Sequence, residues 1–257
     1  MLNIQPIAAF ADNYIWLLYD PSSRQAFVVD PGDAQPVLDT LQALQLDLVG
    51  ILITHHHFDH VGGVGALCAK YQPVVYGPHN PAINGITQRL GAGASVNVLG
   101  MSFEVLEVPG HTLDHIAYVH RGHSPAVFCG DTLFAGGCGR LFEGNPAMML
   151  RSLQSLAALP PSTRIYCAHE YTLANLAFAR AVEPDNVAIA RRSAEAAATR
   201  QRGAPTVPSD IALELATNPF LRCNVKELHG SLRQQGKLEG ENTVEVFTLV
   251  RGWKDSF

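Results

Sequence analysis

Residues 48–60 read LVGILITHHHFDH, and this stretch decides the fold. From Leu48 to Ile53 every residue is aliphatic or glycine, an apolar run of strand length. The next seven residues place histidine at 55, 56, 57 and 60 and aspartate at 59. A strand that runs straight into a loop with His at i and i+2, Asp at i+4 and His at i+5 aims four nitrogen and oxygen donors into one crevice. Imidazole together with carboxylate suits zinc, iron or manganese. One such loop does not close a site, and a solvated His-rich turn would look the same, so the test is whether further ligands follow other strands.

Three do. His111, in PGHT, comes straight after the run Phe103 to Val108; Asp131, in CGDT, follows Ala126 to Cys129; His169, in CAHE, follows Arg164 to Tyr166. Ligand-type residues at several strand ends are what open α/β sheets use to build a site. Each alone reads as a turn aspartate or a capping histidine. Together they do not.

Further strand-like runs lie at 13–19, 25–29, 115–119 and 125–129, with helical spacing at 37–44 and 64–71. From about residue 145 the chain turns Ala- and Leu-rich, with helices expected over 147–158, 172–182 and 187–202 and prolines between them. Strands first and helices outside predict an α/β layered core followed by a helical C-terminal region, with a boundary near residue 170. No internal repeat or low-complexity tract is present.

The 257 residues carry 18 Lys and Arg against 23 Asp and Glu, a formal charge of −5, and 47% are hydrophobic. That is ample material for a large core, and the mild acidity argues against nucleic acid as the partner and for small molecules. Nine of the 11 histidines lie between His55 and His123. Cys68, Cys129, Cys138, Cys167 and Cys223 form no CxxC pair and are odd in number, which reads as reduced thiols in a reducing compartment. The opening MLNIQPIAAF has no basic stretch leading into a long apolar run, and nothing later approaches the roughly 18 apolar residues of a membrane span. A cytoplasmic monomer without a membrane partner is the expectation.

The segments THHHFDH (54–60), PGHT (109–112), GDTLFAGGCGR (130–140) and AHEYT (168–172), in this order, resemble the metallo-β-lactamase superfamily. Within it the chain is most similar to the glyoxalase II family, the hydroxyacylglutathione hydrolases. The likeness extends to Asn218–Arg222 (NPFLR) and Arg251–Lys254 (RGWK), and so over essentially the whole chain. The resemblance implies an αββα metallo-β-lactamase sandwich followed by a smaller all-α C-terminal domain. Residues 1–170 would form the catalytic domain and residues 171–257 the helical substrate-binding domain.

It implies two divalent metal ions, zinc first, with iron or manganese as alternatives. One metal would take His55, His57 and His111, the other Asp59, His60 and His169, with Asp131 bridging the two. Asp59 and Asp131 are the candidate catalytic carboxylates, Asp59 also as a proton relay. His56 and His115 are expected to support the ligands rather than bind metal. The implied reaction converts S-(2-hydroxyacyl)glutathione, above all S-D-lactoylglutathione, to glutathione and a 2-hydroxy acid, D-lactate, in methylglyoxal degradation. Two dications roughly 3.5–4 Å apart lower the pKa of a shared water from about 15.7 toward 7, which supplies a metal-bound hydroxide for attack on the thioester carbonyl. A thiolate leaving group, with a thiol pKa of about 8.5, needs no dedicated acid.

Glutathione carries two carboxylates, so its binder needs cations and hydrogen-bond donors. The resemblance assigns substrate binding to Arg140, Phe142, Tyr171, Arg251 and Lys254. Arg251 and Lys254 are spaced i,i+3, on one face of a terminal helix. Phe142 stands where some relatives carry Tyr and so lacks one hydroxyl contact; Asp114, where many carry Gly, reads as a turn variant. His79, His120, His123 and His229 read as surface or packing residues, and Cys129 and Cys138 as small buried hydrophobes. The competing readings are β-lactam or phosphodiester hydrolysis on the same core, a redox iron protein, and a non-catalytic binding relative. Seven intact ligands argue against the last, because a buried His and Asp cluster is costly to keep without its ion.

Overall fold

The computed structural model describes residues 2–257. Its packing groups the chain into two compact units, Met1–Glu107 with Asp114–Gly130, and Val108–Leu113 with Asp131–Phe257. This division by packing and the change of composition near residue 170 fall at different places in the chain.

In the first unit, β1 (Asn3–Ala9), β2 (Asn13–Asp20) and β3 (Gln25–Val29) form an antiparallel meander. After α1 (Ala34–Leu44), β4 (Asp47–Leu52) pairs parallel with β3. The one-turn α2 (Phe58–Val61) and α3 (Val64–Tyr71) lead to β5 (Val74–Pro78), parallel to β4, and β6 (Gln88–Leu90) completes a six-stranded sheet in the order β1 to β6. Parallel neighbours need crossover helices, and α1 and α3 supply them. Their apolar faces, with Val37, Leu41, Val64 and Leu67, pack on Ile15, Leu17, Val28, Leu48, Ile51 and Val75. Trp16, Leu18, Phe27, Val29 and Leu52 on the other face are equally buried, which is why β2 and β4 read as near-continuous apolar runs. The strands β7 (Ser95–Val98), β8 (Met101–Glu107), β9 (Ile116–His120) and β10 (Ala126–Gly130) make a second, antiparallel meander. It is tied to the end of β4 where Tyr118 Oη donates to Ile53 O at 2.9 Å and Ile116 N donates to Thr54 O at 2.9 Å.

The second unit opens with a hairpin, β11 (Leu133–Phe134) and β12 (Gly137–Cys138), turned at Ala135 and Gly136, the latter at φ +71°. After α4 (Pro146–Ala157) comes β13 (Arg164–Cys167), then α5 (Thr172–Val182) and α6 (Val187–Gln201). A short β14 (Ser209–Asp210) pairs antiparallel with β13 and leads into α7 (Ile211–Thr217), α8 (Lys226–Gln234) and α9 (Thr243–Asp255). Four helix starts are capped by side chains from the residue before: Asn145 on Met148 N, Asn186 on Ala188 N, Asp210 on Leu213 N and Asn242 on Val244 N. Leu176 and Ala179 of α5 pack on Ile189 and Ala196 of α6. Among the described residues no helix is long and apolar enough to cross a membrane.

Candidate metal centre

In the first unit His55 and His57 sit in the extended link between β4 and α2, and Asp59 and His60 on the single turn of α2. His55 and His60 are fully buried, while His57 and Asp59 are partly exposed. The tautomers follow from hydrogen-bond partners. The carboxylate of Asp30 accepts from Thr54 N at 2.8 Å, Thr54 Oγ1 at 2.7 Å and His60 Nδ1 at 3.0 Å. Thr54 has thus spent its only hydroxyl proton, so its contact with His55 Nδ1 at 3.1 Å is one in which the imidazole N–H donates. The lone pair of His55 is then on Nε2, 3.2 Å from His57 Nδ1. In the same way His60, donating from Nδ1 to Asp30, turns its Nε2 lone pair toward Asp59 Oδ2 at 3.4 Å. Asn13 Nδ2 donates to that same Asp59 oxygen at 2.9 Å and fixes it. Asp30, His55 and His60 also bring one donor atom each within 4.8 Å of the others, but the oxygens of Asp30 are taken up by three N–H and O–H donors, so it orients the imidazoles.

The backbone allows this only because of glycine. A Cβ at Gly32 would stand 1.8 Å from Asp59 O. Asp30 itself takes φ +52°, a conformation that β-branched residues avoid and Asp tolerates. The remaining histidines of the cluster are supports. The His115 ring stacks on His55 at 4.5 Å and 15°, with Nδ1 3.1 Å from Ile116 O. His56 Nδ1 meets Asp114 Oδ1 at 3.0 Å, and Asn80 Nδ2 donates to Asp114 Oδ2 at 2.8 Å. Asp114 therefore anchors His56 as well as forming a turn.

The second unit presents a matching set. His111 Nδ1 donates to Arg140 O at 2.7 Å, which leaves Nε2 as the lone-pair nitrogen, 3.5 Å from Asp131 Oδ2. His169 Nε2 is 3.3 Å from the same oxygen. These spacings exceed the 2.7–2.9 Å typical of charge-assisted hydrogen bonds. They match the roughly 3.3 Å between two donors sharing one tetrahedral cation with bonds of about 2.0–2.1 Å. A lone pair aimed at a carboxylate in a buried site is repulsive unless a cation stands between, so both sets fit a divalent metal. Here too glycine makes room: a Cβ at Gly139 would lie 2.0 Å from Asp131 O and 3.1 Å from His111 Nδ1.

The expected substrate residues, all in this unit, fall into two groups. Phe142 lies edge-on to His111 at 5.2 Å and is 61% exposed, while Tyr171 stacks flat on His169 at 4.6 Å and 4° and meets Phe134 edge-on. Arg140 is exposed, its Nε 3.5 Å from Asp255 Oδ1. Arg251 is buried, donating through Nη1 to Cys138 O at 3.1 Å and through Nη2 to Asp255 Oδ1 at 3.0 Å, with the guanidinium over the Phe220 ring. Lys254 is partly buried, its Nζ 3.4 Å from Ala174 O and over the Phe178 ring. Burial first, then the Arg251 charge, lowers its ammonium pKa below the usual value. Burial likewise pushes the Cys138 thiol up to about 11, leaving it protonated at neutral pH.

The family model described as Metallo-beta-lactamase superfamily matches residues 11–169, and that described as Hydroxyacylglutathione hydrolase C-terminus matches residues 170–257. A hydroxyacylglutathione hydrolase of Pseudomonas aeruginosa (strain LESB58) is 54% identical over 258 residues, covering 100% of both chains. The chain belongs to the hydroxyacylglutathione hydrolase family. Its fold is the expected one, an α/β metallo-β-lactamase domain followed by a helical C-terminal region. Among solved structures it is similar to ETHE1 from Myxococcus xanthus, with 25% identity, 99% of each chain covered and a TM-score of 0.66. It is also similar to TTHA1623 in a di-iron-bound form, with 26% identity, 84% of this chain and 100% of the other covered, and a TM-score of 0.61.

Several residues that build the site of this hydroxyacylglutathione hydrolase family member went unnoticed in its sequence. Asp30 stands in VVDPGD at the end of β3, and the rule that found His111 and Asp131, a ligand-type residue at a strand end, would have found it. Asn13 has no such signal. Nor has Glu214, a buried carboxylate that accepts from Gly136 N at 2.8 Å and pairs with buried Arg192. With Asn218, which donates to Phe134 O and Gly137 O, and Asn175, which donates to Ala135 O, it holds the 134–137 turn between Asp131 and Arg140.

Proposed function

We propose that this chain hydrolyses S-(2-hydroxyacyl)glutathione thioesters, above all S-D-lactoylglutathione, to glutathione and a 2-hydroxy acid such as D-lactate, in methylglyoxal degradation. The observation that carries the reading is the 54% identity to a hydroxyacylglutathione hydrolase over the full length of both chains. The two donor sets support it. His55, His57 and His111 would hold one divalent cation and Asp59, His60 and His169 a second, with Asp131 serving both; zinc is the first choice, iron or manganese the alternative. Such ions, when bound, supply Lewis acidity for the thioester carbonyl and lower the pKa of water.

The chain's own residues do the rest. Asp30, Thr54 and the Arg140 carbonyl hold the imidazole protons on the nitrogens away from the lone pairs. Asn13 holds Asp59, which, beside its role as a ligand, is the nearest candidate to relay a proton. Arg140 and Lys254 offer positive charge to the carboxylates of glutathione, Arg251 backs them, and Tyr171 and Phe142 offer aromatic surface. The thiolate leaves unaided. Residues 1–170 act as the catalytic domain and residues 171–257 as the substrate-binding domain of a cytoplasmic monomer.

The test is hydrolysis of several acyl-glutathiones beside a β-lactam and bis(p-nitrophenyl) phosphate, with metal content measured on the same sample. Preferential thioester cleavage with two metal equivalents per chain is expected. A protein reconstituted with zinc, iron or manganese that leaves S-D-lactoylglutathione untouched overturns the activity. A single equivalent in fully active protein overturns the shared role of Asp131.

A further inference from the structure

Asp255 ends α9, at the helix end where the macrodipole disfavours a carboxylate and favours Arg251 and Lys254. Its position therefore calls for another explanation. Its Oδ1 is held by Arg251 Nη2 at 3.0 Å and faces Arg140 Nε at 3.5 Å. Both arginines belong to the set assigned to glutathione. An internal carboxylate thus sits on the cations that a substrate carboxylate would use.

The cations have contacts besides this one. Arg251 is also held by its bond to Cys138 O at 3.1 Å and by its place over Phe220 at 5.0 Å. Its Nε, buried, has no hydrogen-bond partner among the described residues, so the guanidinium is not saturated by the fold. Lys254 is held separately, at Ala174 O and over Phe178. Arg140 is 60% exposed in its side chain and Asp255 34%, and a single 3.5 Å approach between such groups is a solvent-screened pair that opens readily.

We infer that Asp255 determines specificity by exchange: in the free protein its carboxylate occupies the Arg140 and Arg251 cluster, and a carboxylate carried by the peptide part of the thioester binds by taking its place. This rests on the glutathione thioester reading above. Exchange of one carboxylate for another keeps the cluster compensated, so ligands with a free carboxylate enter. A neutral thioester has nothing to offer in return and leaves Asp255 seated.

The experiment uses the full-length, metal-loaded protein and the variants Asp255→Asn and Asp255→Ala, with glutathione and glutathione diethyl ester as calorimetric ligands and S-D-lactoylglutathione as substrate. Removing the competing charge is expected to lower the Kd for glutathione and the KM for the thioester roughly three- to fivefold, the scale of a screened ion pair. The diester, with both carboxylates capped, gains nothing. Both variants remove the counter-ion of the buried Arg251 and are expected to melt lower than the parent, so binding and kinetics are compared at a temperature where circular dichroism shows each protein folded. A rise in Kd and KM in both variants overturns the inference, since Asp255 would then orient the arginines, and so does an equal gain with the diester. A parent protein that neither binds glutathione nor cleaves its thioester overturns the functional reading itself. A parent that does both, beside variants that bind no tighter, overturns the exchange alone.

Discussion

Replacing Glu214 by Gln tests whether the helical unit holds the turn between Asp131 and Arg140. The Glu214 carboxylate is fully buried and accepts from Arg192 Nη2, Ser209 Oγ, Gly136 N and Asn218 Nδ2. The amide offers one oxygen where the carboxylate offers two, so an NH2 group must face a donor, and the Arg192 charge, only 5% exposed, loses its carboxylate. Breaking a buried pair from one side costs about 3–5 kcal/mol. At about 2–4 °C per kcal/mol for a chain of this size, the melting temperature should fall by roughly 6–20 °C. Urea unfolding followed by circular dichroism measures the loss, and Arg192→Met, alone and combined with Glu214→Gln, completes a double-mutant cycle. Arg192→Met removes the stranded charge, so the double variant should be no less stable than Glu214→Gln alone. A Glu214→Gln loss below about 1 kcal/mol, or a double variant as weak as the two losses added, refutes the argument that the buried pair carries the turn.

Asp30→Asn should turn an amide N–H2 toward donors that now meet an acceptor and weaken metal binding about 10- to 100-fold, read by chelator competition, with little change in secondary structure. Gly139→Ala places a methyl 2.0 Å from Asp131 O, so metal content measured by elemental analysis should fall while the first unit keeps its fold; full occupancy would show the turn to be adaptable. Burial raises the Cys138 and Cys167 thiols from 9.0 to about 11 and about 12, so between pH 9 and about 11 they ionise mainly in the unfolded chain. Their stabilising contribution is intact below pH 9 and lost as pH rises through about 11, which a falling urea midpoint over that range will show. At pH 8.5 the native protein should be alkylated by iodoacetamide at partly exposed Cys68 alone, with all five cysteines reacting after unfolding.

The sequence determined whatever depends on neighbours along the chain. Apolar runs ending in His or Asp located β4, β8, β10 and β13 and the donors that follow them, because a strand's end and the first loop residue are fixed together by the covalent chain. Helical spacing located α3, α5 and α6 to within a residue or two. It was less informative for β1, where Pro6 and partial exposure blur the alternation of an edge strand, and for the three-residue, largely exposed β6. Tertiary structure alone decided which nitrogen of His55, His60 and His111 carries the lone pair. Asp30 reaches His60 across 30 residues, Arg140 O reaches His111 across 29 and Asn13 reaches Asp59 across 46. It also decided that Arg251, read from spacing as one face of a terminal helix, is buried on Cys138 O, 113 residues away, with Asp255 as its counter-ion. Such pairs follow from how buried polar groups find partners once the backbone has closed, and no local pattern specifies that choice.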